Sequence, residues 1–137
     1  MWELLISKKI IFTFLIIQSL FFSADVLESS EYKPNYPKGL PEYKQYAYDV
    51  VVYTWGSQQW EYFDKIVEKE SSWIKTAQNP YSTAYGLMQF LDSTWEGVDC
   101  EKTSIAKEQI KCGVKYIENR YDTPQEAVIF HEKNNWY

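Results

Sequence analysis

The stretch SQQWEYFDKIVEKESSW, residues 57–73, carries the clearest helical pattern in the chain. Its apolar residues recur at three- and four-residue spacing: Trp60, Phe63, Ile66 and Val67. This spacing is typical of an amphipathic helix that buries one face. Ser57 precedes the run, and serine is a favoured N-cap because its side-chain oxygen accepts a backbone N–H. We therefore predict a helix with its start and cap at Ser57.

Glu70 is the only acidic residue of this stretch that falls on the apolar face. On a wheel with about 100° per residue it lies near 280°, between Ile66 at about 240° and Phe63 at about 300°. Desolvation disfavours a charged carboxylate, so the pKa of Glu70 is expected to be raised. Such a group can hold a proton near neutral pH and act as a general acid. The alternative is a frayed helix end with Glu70 free in water.

The remaining sequence predicts further helices. They are expected over 42–55, from Asp92 or Ser93 to Trp95, from Thr103 or Ser104 to Tyr121, and after a Thr123 cap. Within the first, residues 50–53 could instead form a strand. Asn79, Pro80 and the serine and threonine that follow indicate a loop. The predicted fold is a small, mostly α domain over residues 42–137.

The N-terminal 24 residues have the pattern of an export signal. Two lysines precede a short apolar run, which is typical of a secretory signal peptide and short for a membrane-spanning helix. A bulky Phe22 near the expected cleavage site leaves an uncleaved membrane anchor as the alternative. Residues 25–41 hold three prolines and read as a linker. The domain is thus expected to be exported: secreted, periplasmic or on the cell surface, with a membrane tether if the signal stays.

The composition indicates a folded domain. Aromatic residues make up 18% of the 137 residues and the net charge is −5, which argues against disorder and against nucleic-acid binding. Export to an oxidising compartment favours a disulfide between Cys100 and Cys112, with two buried free thiols as the alternative. A single histidine and the absence of a CxxC motif argue against a metal site. No metal or cofactor is expected.

Two motifs resemble those of the lytic transglycosylase family. ESSW at residues 70–73 is followed by GLMQ at residues 86–89, sixteen residues after the glutamate. The resemblance is to the soluble lytic transglycosylase-like catalytic domain of the lysozyme-like superfamily, and it covers roughly residues 45–137. It implies a small lysozyme-like helical domain with a substrate groove.

The third family motif, Ala-Tyr-Asn on a late helix, is matched less well. Here the chain has AVIFH at residues 127–131, followed by NNWY at residues 134–137. If Phe130 and His131 occupy the Tyr-Asn positions, a hydroxyl contact is missing and an imidazole replaces an amide. The departure affects the details of sugar binding more than the role of Glu70.

The resemblance implies non-hydrolytic cleavage of peptidoglycan glycan strands, and the protein is expected to act as a monomer. Glu70 would protonate the β-1,4 glycosidic oxygen between N-acetylmuramic acid and N-acetylglucosamine and then take the proton from the muramyl C6 hydroxyl. The product would be a 1,6-anhydro sugar. The alternatives are a lysozyme-type hydrolase and a non-catalytic wall-binding domain.

Substrate contacts are implied for several residues around Glu70: Ser71, Gly86, Met88, Gln89, Phe130 and Trp136. Ser71 could contact the sugar or bond its own backbone at the helix end. Gly86 would let the backbone approach the substrate, although a turn glycine is the alternative. Gln89 would offer amide contacts to hydroxyl or N-acetyl groups. Phe130 and Trp136 could stack on sugar rings or serve in packing.

Overall fold

The computed structural model describes residue 36 and residues 39–134. These residues form five α-helices and one 3₁₀ turn: α1 Glu42–Trp55, the turn Ser57–Gln59, α2 Trp60–Ser71, α3 Asp92–Gly97, α4 Ala106–Tyr121 and α5 Pro124–Asn134. They contain no strand, only two isolated bridges in the loop between α2 and α3. The predicted mostly α fold is confirmed.

Helix α1 covers the range expected from the sequence, and the strand alternative at residues 50–53 is wrong. Ala47 and Val51 are fully buried on one face, as a helical four-residue spacing requires. Gly56 ends the helix at a positive φ of 94°, a conformation that glycine adopts without a steric penalty. Tyr36, in the segment predicted as a linker, already contacts α1 through a hydrogen bond to Asp49 and a ring contact with Tyr48.

The start of α2 differs from the prediction. Ser57 opens the 3₁₀ turn and makes no cap hydrogen bond, so its predicted role as N-cap is wrong. Gln59 occupies the cap position, and its side chain accepts a hydrogen bond from the backbone N–H of Gln125 at 3.0 Å. The first turn of α2 is thereby joined to the first turn of α5.

The later helices begin near the expected positions. Helix α3 starts at Asp92 and continues two residues past Trp95, whereas α4 starts at Ala106, after the expected Thr103 or Ser104. The Thr123 cap of α5 is confirmed, because its side-chain oxygen accepts the backbone N–H of Glu126 at 3.3 Å. One hydrophobic core joins all five helices, with α2 against α5 and α1 against α4.

A disulfide joins the loop after α3 to α4. It links Cys100 and Cys112, whose Cα atoms lie 6.3 Å apart, within the range that disulfides span. Within the described part of the chain, no helix is long and apolar enough to cross a membrane. The predicted export signal at residues 1–24 and the candidate Trp136 lie outside the described residues.

Candidate functional site

Glu70 lies in the last turn of α2, on the face that turns toward the protein interior. It is half-buried, as the helical wheel predicts. It lines a small cavity of about 20 Å³ together with residues from α2, α4 and the intervening loop: Ile66, Met88, Phe90, Tyr116, Ile117 and Tyr121. Glu70 is the only ionisable carboxyl group among these lining residues.

The surroundings of Glu70 favour its protonated form. Burial raises the pKa of the Glu70 carboxyl group, and the positive charge of Lys69 opposes this only in part. Lys69 itself points to α5, where its Nζ lies 2.9 Å from Nδ1 of His131. A carboxyl group with this pKa can donate a proton to a substrate and take one back afterwards.

The end of α2 turns sharply directly after Glu70. Ser72 and Trp73 both have positive φ values, 49° and 59°, which cost energy in residues with a side chain. Trp73 is buried in the core, and its Nε1 donates a hydrogen bond to Asp64 at 2.8 Å. After this turn the chain forms a loop, and the GLMQ segment at residues 86–89 comes to lie beside Glu70, where Met88 lines the same cavity.

Ser71 links the end of α2 to the GLMQ segment. Its side chain is 8% exposed, and its Oγ donates to the carbonyl oxygen of Leu87 at 2.9 Å, with that of Val67 at 3.2 Å. A hydroxyl group has one hydrogen to donate, and both acceptors are backbone atoms of the protein. Within the protein, Ser71 thus positions the GLMQ segment against α2, and its implied sugar contact stays a prediction.

Gln109 of α4, a residue that the sequence analysis missed, joins the GLMQ segment to α4. Gln109 is fully buried, and its Oε1 accepts the backbone N–H of Leu87 at 2.8 Å. Its Nε2 donates to the carbonyl oxygens of Lys75 at 2.8 Å and Thr103 at 2.6 Å. A glutamine among the apolar residues of α4 is the same signal that singled out Glu70, and it could have identified Gln109.

Gly86 is buried against this glutamine. Its φ is +81°, and a Cβ atom there would lie 2.7 Å from Oε1 of Gln109. The absence of a side chain at Gly86 therefore leaves room for Gln109, and the implied approach of the Gly86 backbone to the substrate stays a prediction.

Met88 and Gln89 differ in their exposure to the site. Met88 is buried, lines the cavity beside Glu70 and packs on Gly113 of α4. Gln89 is half-buried, and its Nε2 donates to the carbonyl oxygens of Ala77 and Gly86, both at 3.0 Å. Its two amide hydrogens are thus used within the loop, which leaves Oε1 as the polar atom for a ligand.

Aromatic residues continue the wall of the site toward α5. Tyr121 lines the cavity, and its ring centroid lies 5.3 Å from that of the half-buried Phe130. Burial raises the pKa of Tyr121, and its hydroxyl has no partner of good hydrogen-bond geometry among the described residues, although Tyr116 and Arg120 are close. Tyr116 and Tyr121 were not among the predicted site residues.

The tight packing around Gly86 leads to a first prediction. Gly86→Ala should destabilise the protein by about 2 kcal/mol more than Gly39→Ala, because its methyl group would displace a hydrogen-bonded, buried side chain. Gly39 is the matched control, since it has a similar φ of +86° but no atom within 4 Å of a Cβ. Urea denaturation measures both. Equal losses would show that Gln109 moves aside without cost.

The small helical fold, with Glu70 of α2 in a cavity that α4 also lines, is consistent with a lysozyme-like domain. A family model described as the transglycosylase SLT domain matches residues 55–136. The chain therefore belongs to the transglycosylase SLT family. Domains of this family have a function of the lytic-transglycosylase type, and their substrate is peptidoglycan. No curated protein and no solved structure matches the chain.

Proposed function

We propose that this protein is a lytic transglycosylase that cleaves the β-1,4 bond between N-acetylmuramic acid and N-acetylglucosamine and forms a 1,6-anhydromuramyl product. The observation that carries the proposal is Glu70: a half-buried carboxyl group with a raised pKa in a cavity without a second carboxylate. Its role as the catalytic residue is part of the proposal.

One carboxyl group is sufficient for this reaction. Protonated Glu70 donates its proton to the glycosidic oxygen, and the bond to C1 of the muramyl residue breaks. The resulting carboxylate then accepts the proton of the C6 hydroxyl while that oxygen bonds to C1. Most glycosidases need a second carboxylate as nucleophile or to activate water. Here the nucleophile belongs to the substrate.

Substrate contacts are proposed for the residues that border Glu70. Met88 contributes apolar surface in the cavity, and Oε1 of Gln89 accepts a hydrogen bond from a sugar hydroxyl or N-acetyl group. Phe130 is placed beside Tyr121, where a half-buried ring can contact a sugar face. Trp136, which lies outside the described residues, is proposed to stack on a sugar ring.

The substrate requires the domain to act outside the cytoplasm. We assign export to residues 1–24, either as a cleaved signal or as a membrane tether. The protein is also proposed to act as a monomer. The net charge of −5 does not favour long-range attraction to an anionic wall polymer. Binding therefore depends on short-range hydrogen bonds and aromatic contacts.

Product analysis tests the reaction type. Purified peptidoglycan is digested with the protein, and the released muropeptides are identified by mass spectrometry. Anhydromuropeptides, lighter by one water than the hydrolysis products, are the expected result. Products with a free reducing end would instead identify a hydrolase, and binding without release would identify a wall-binding domain.

A further inference from the structure

Two polar contacts join α2 to α5 along their exposed edge, and one of them involves the residue directly before Glu70. Lys69 places its Nζ 2.9 Å from Nδ1 and 3.2 Å from Nε2 of His131. One turn earlier on α2, Lys65 forms a salt bridge with Glu132 at 2.8 Å. The two lysines are four residues apart and therefore lie on one face of α2. Both lysine side chains are thus directed toward α5.

His131 can hold Lys69 only in its neutral form. An ammonium group has three hydrogens to donate and no lone pair, so its partner must be an acceptor, and a neutral imidazole has one acceptor nitrogen. Burial lowers the pKa of His131, and the positive charge of Lys69 lowers it further, whereas Glu132 raises it and Lys65 lowers it. His131 is therefore neutral near pH 7 and accepts a hydrogen bond from Lys69.

The position of the Lys69 ammonium group affects Glu70. Burial raises the pKa of Glu70, and the charge of Lys69 lowers it. Tyr116 and Tyr121 of α4 line the same cavity with hydroxyl groups that are uncharged near neutral pH, and the Arg120 guanidinium group lies over these two rings. Lys69 is exposed and has a flexible stem, so without its contact on α5 its ammonium group would approach the ionised carboxylate.

We propose that His131 is a positioning residue for the general acid: by holding Lys69 against α5, it keeps a positive charge away from the Glu70 carboxyl group. The inference rests on the proposed function, which gives Glu70 the role of the acid. His131 stands in the stretch that matches the third family motif less well, where the resemblance places an amide. The imidazole thereby acts on Glu70 through Lys69.

Carbon-13 NMR of the full chain with labelled glutamate carboxyl groups measures the pKa of Glu70 directly. The Glu70 resonance is the one that disappears in Glu70→Gln. His131→Ala should lower the pKa of Glu70, because the released ammonium group stabilises the carboxylate. His131→Asn should keep the wild-type value, because its amide oxygen takes approximately the place of Nδ1 and accepts the hydrogen bond from Lys69.

The Lys69→Met background tests whether His131 acts through the lysine charge. Methionine keeps an unbranched side chain without the charge, so adding His131→Ala to Lys69→Met should not change the pKa of Glu70 further. Glu132→Gln is the matched control. It removes the salt bridge of Lys65, the other contact on this edge between α2 and α5, and it should leave the pKa of Glu70 at the wild-type value.

The activity of His131→Ala should shift in the same direction. Cleavage needs protonated Glu70, so the decline of activity with rising pH should move to lower pH. The rate near neutral pH should fall about two- to fivefold, which is the size of effect that an exposed charge has on a nearby group. His131→Asn should show no such loss, and neither should His131→Ala when it is added to Lys69→Met.

An unchanged or raised pKa of Glu70 in His131→Ala would overturn the proposal. So would an equal decrease in Glu132→Gln, in His131→Asn or upon His131→Ala in the Lys69→Met background, because the lysine charge would then not be the cause. Failure of the proposed function has a different signature. It appears as absence of anhydromuropeptides from the wild-type digest, whereas the NMR comparison reports on His131 and Lys69 whatever reaction Glu70 catalyses.

Discussion

Glu70→Gln is expected to abolish cleavage of peptidoglycan while the fold and glycan binding are retained. Glutamine has nearly the shape of the protonated acid, but it can neither donate the proton to the glycosidic oxygen nor accept one from the C6 hydroxyl. General acid–base catalysis contributes roughly 10²–10⁴ in rate, and Glu70 serves both steps, so we expect a loss of about a thousandfold or more. The rate of anhydromuropeptide release measures it.

Glu68→Gln is the matched control. Glu68 lies on the same helix but is exposed, and the substitution removes the same charge without changing the cavity. Its activity should remain within about twofold of wild type, because surface substitutions away from special features have small effects. Comparable activity in Glu70→Gln and Glu68→Gln would remove Glu70 from the mechanism.

The raised pKa of Glu70 also determines two pH dependences. Cleavage needs the protonated acid in its first step, so activity should fall as the pH rises through the raised pKa of Glu70. The folded protein holds this proton more tightly than the unfolded chain does. The stabilisation from Glu70 is therefore present below the unfolded pKa and is lost as the pH rises through the folded one.

Thermal denaturation of wild type and Glu70→Gln at several pH values tests this linkage. The glutamine variant should have the higher melting temperature near neutral pH, because it carries no desolvated charge. The difference should shrink as the pH falls and wild-type Glu70 becomes protonated. A difference that grows toward low pH would contradict the desolvation of Glu70.

Gln109→Ala should produce the largest loss of stability, about 4 kcal/mol. The substitution leaves the N–H of Leu87 and the carbonyl oxygens of Lys75 and Thr103 without their partner, and it opens a cavity in the core. Urea denaturation measures the change. Activity should fall as well, since the segment that lies beside Glu70 loses its hydrogen bond to α4.

Gln58→Ala serves as the control for this loss. Gln58 is exposed and its side chain donates one hydrogen bond, to the carbonyl oxygen of Trp55 at 3.1 Å. Water replaces that bond when the side chain is removed, so the stability should change by less than about 1 kcal/mol. If Gln109→Ala cost no more than Gln58→Ala, the buried hydrogen bonds of Gln109 would not organise the site.

The helices and the position of Glu70 could be predicted because both follow from local periodicity. A spacing of three and four residues identifies the face that is buried, whatever that face later contacts. Ser57 failed as a cap because the tertiary contact of Gln59 with α5 favours a 3₁₀ turn at that point. Local cap preference is worth only about 1 kcal/mol, so such a contact can outweigh it.

The sequence by itself determined the helical class of this protein, the family and the burial of one acidic side chain, because each depends on residues close together in the chain. Only the tertiary structure decided that Ser71 and Gly86 support the loop, and that Tyr116 and Tyr121 face Glu70. Those roles depend on the packing of α4 against α2 and against the loop between α2 and α3. The contacts of α4 join residues far apart in the chain, and no local sequence pattern specifies such contacts.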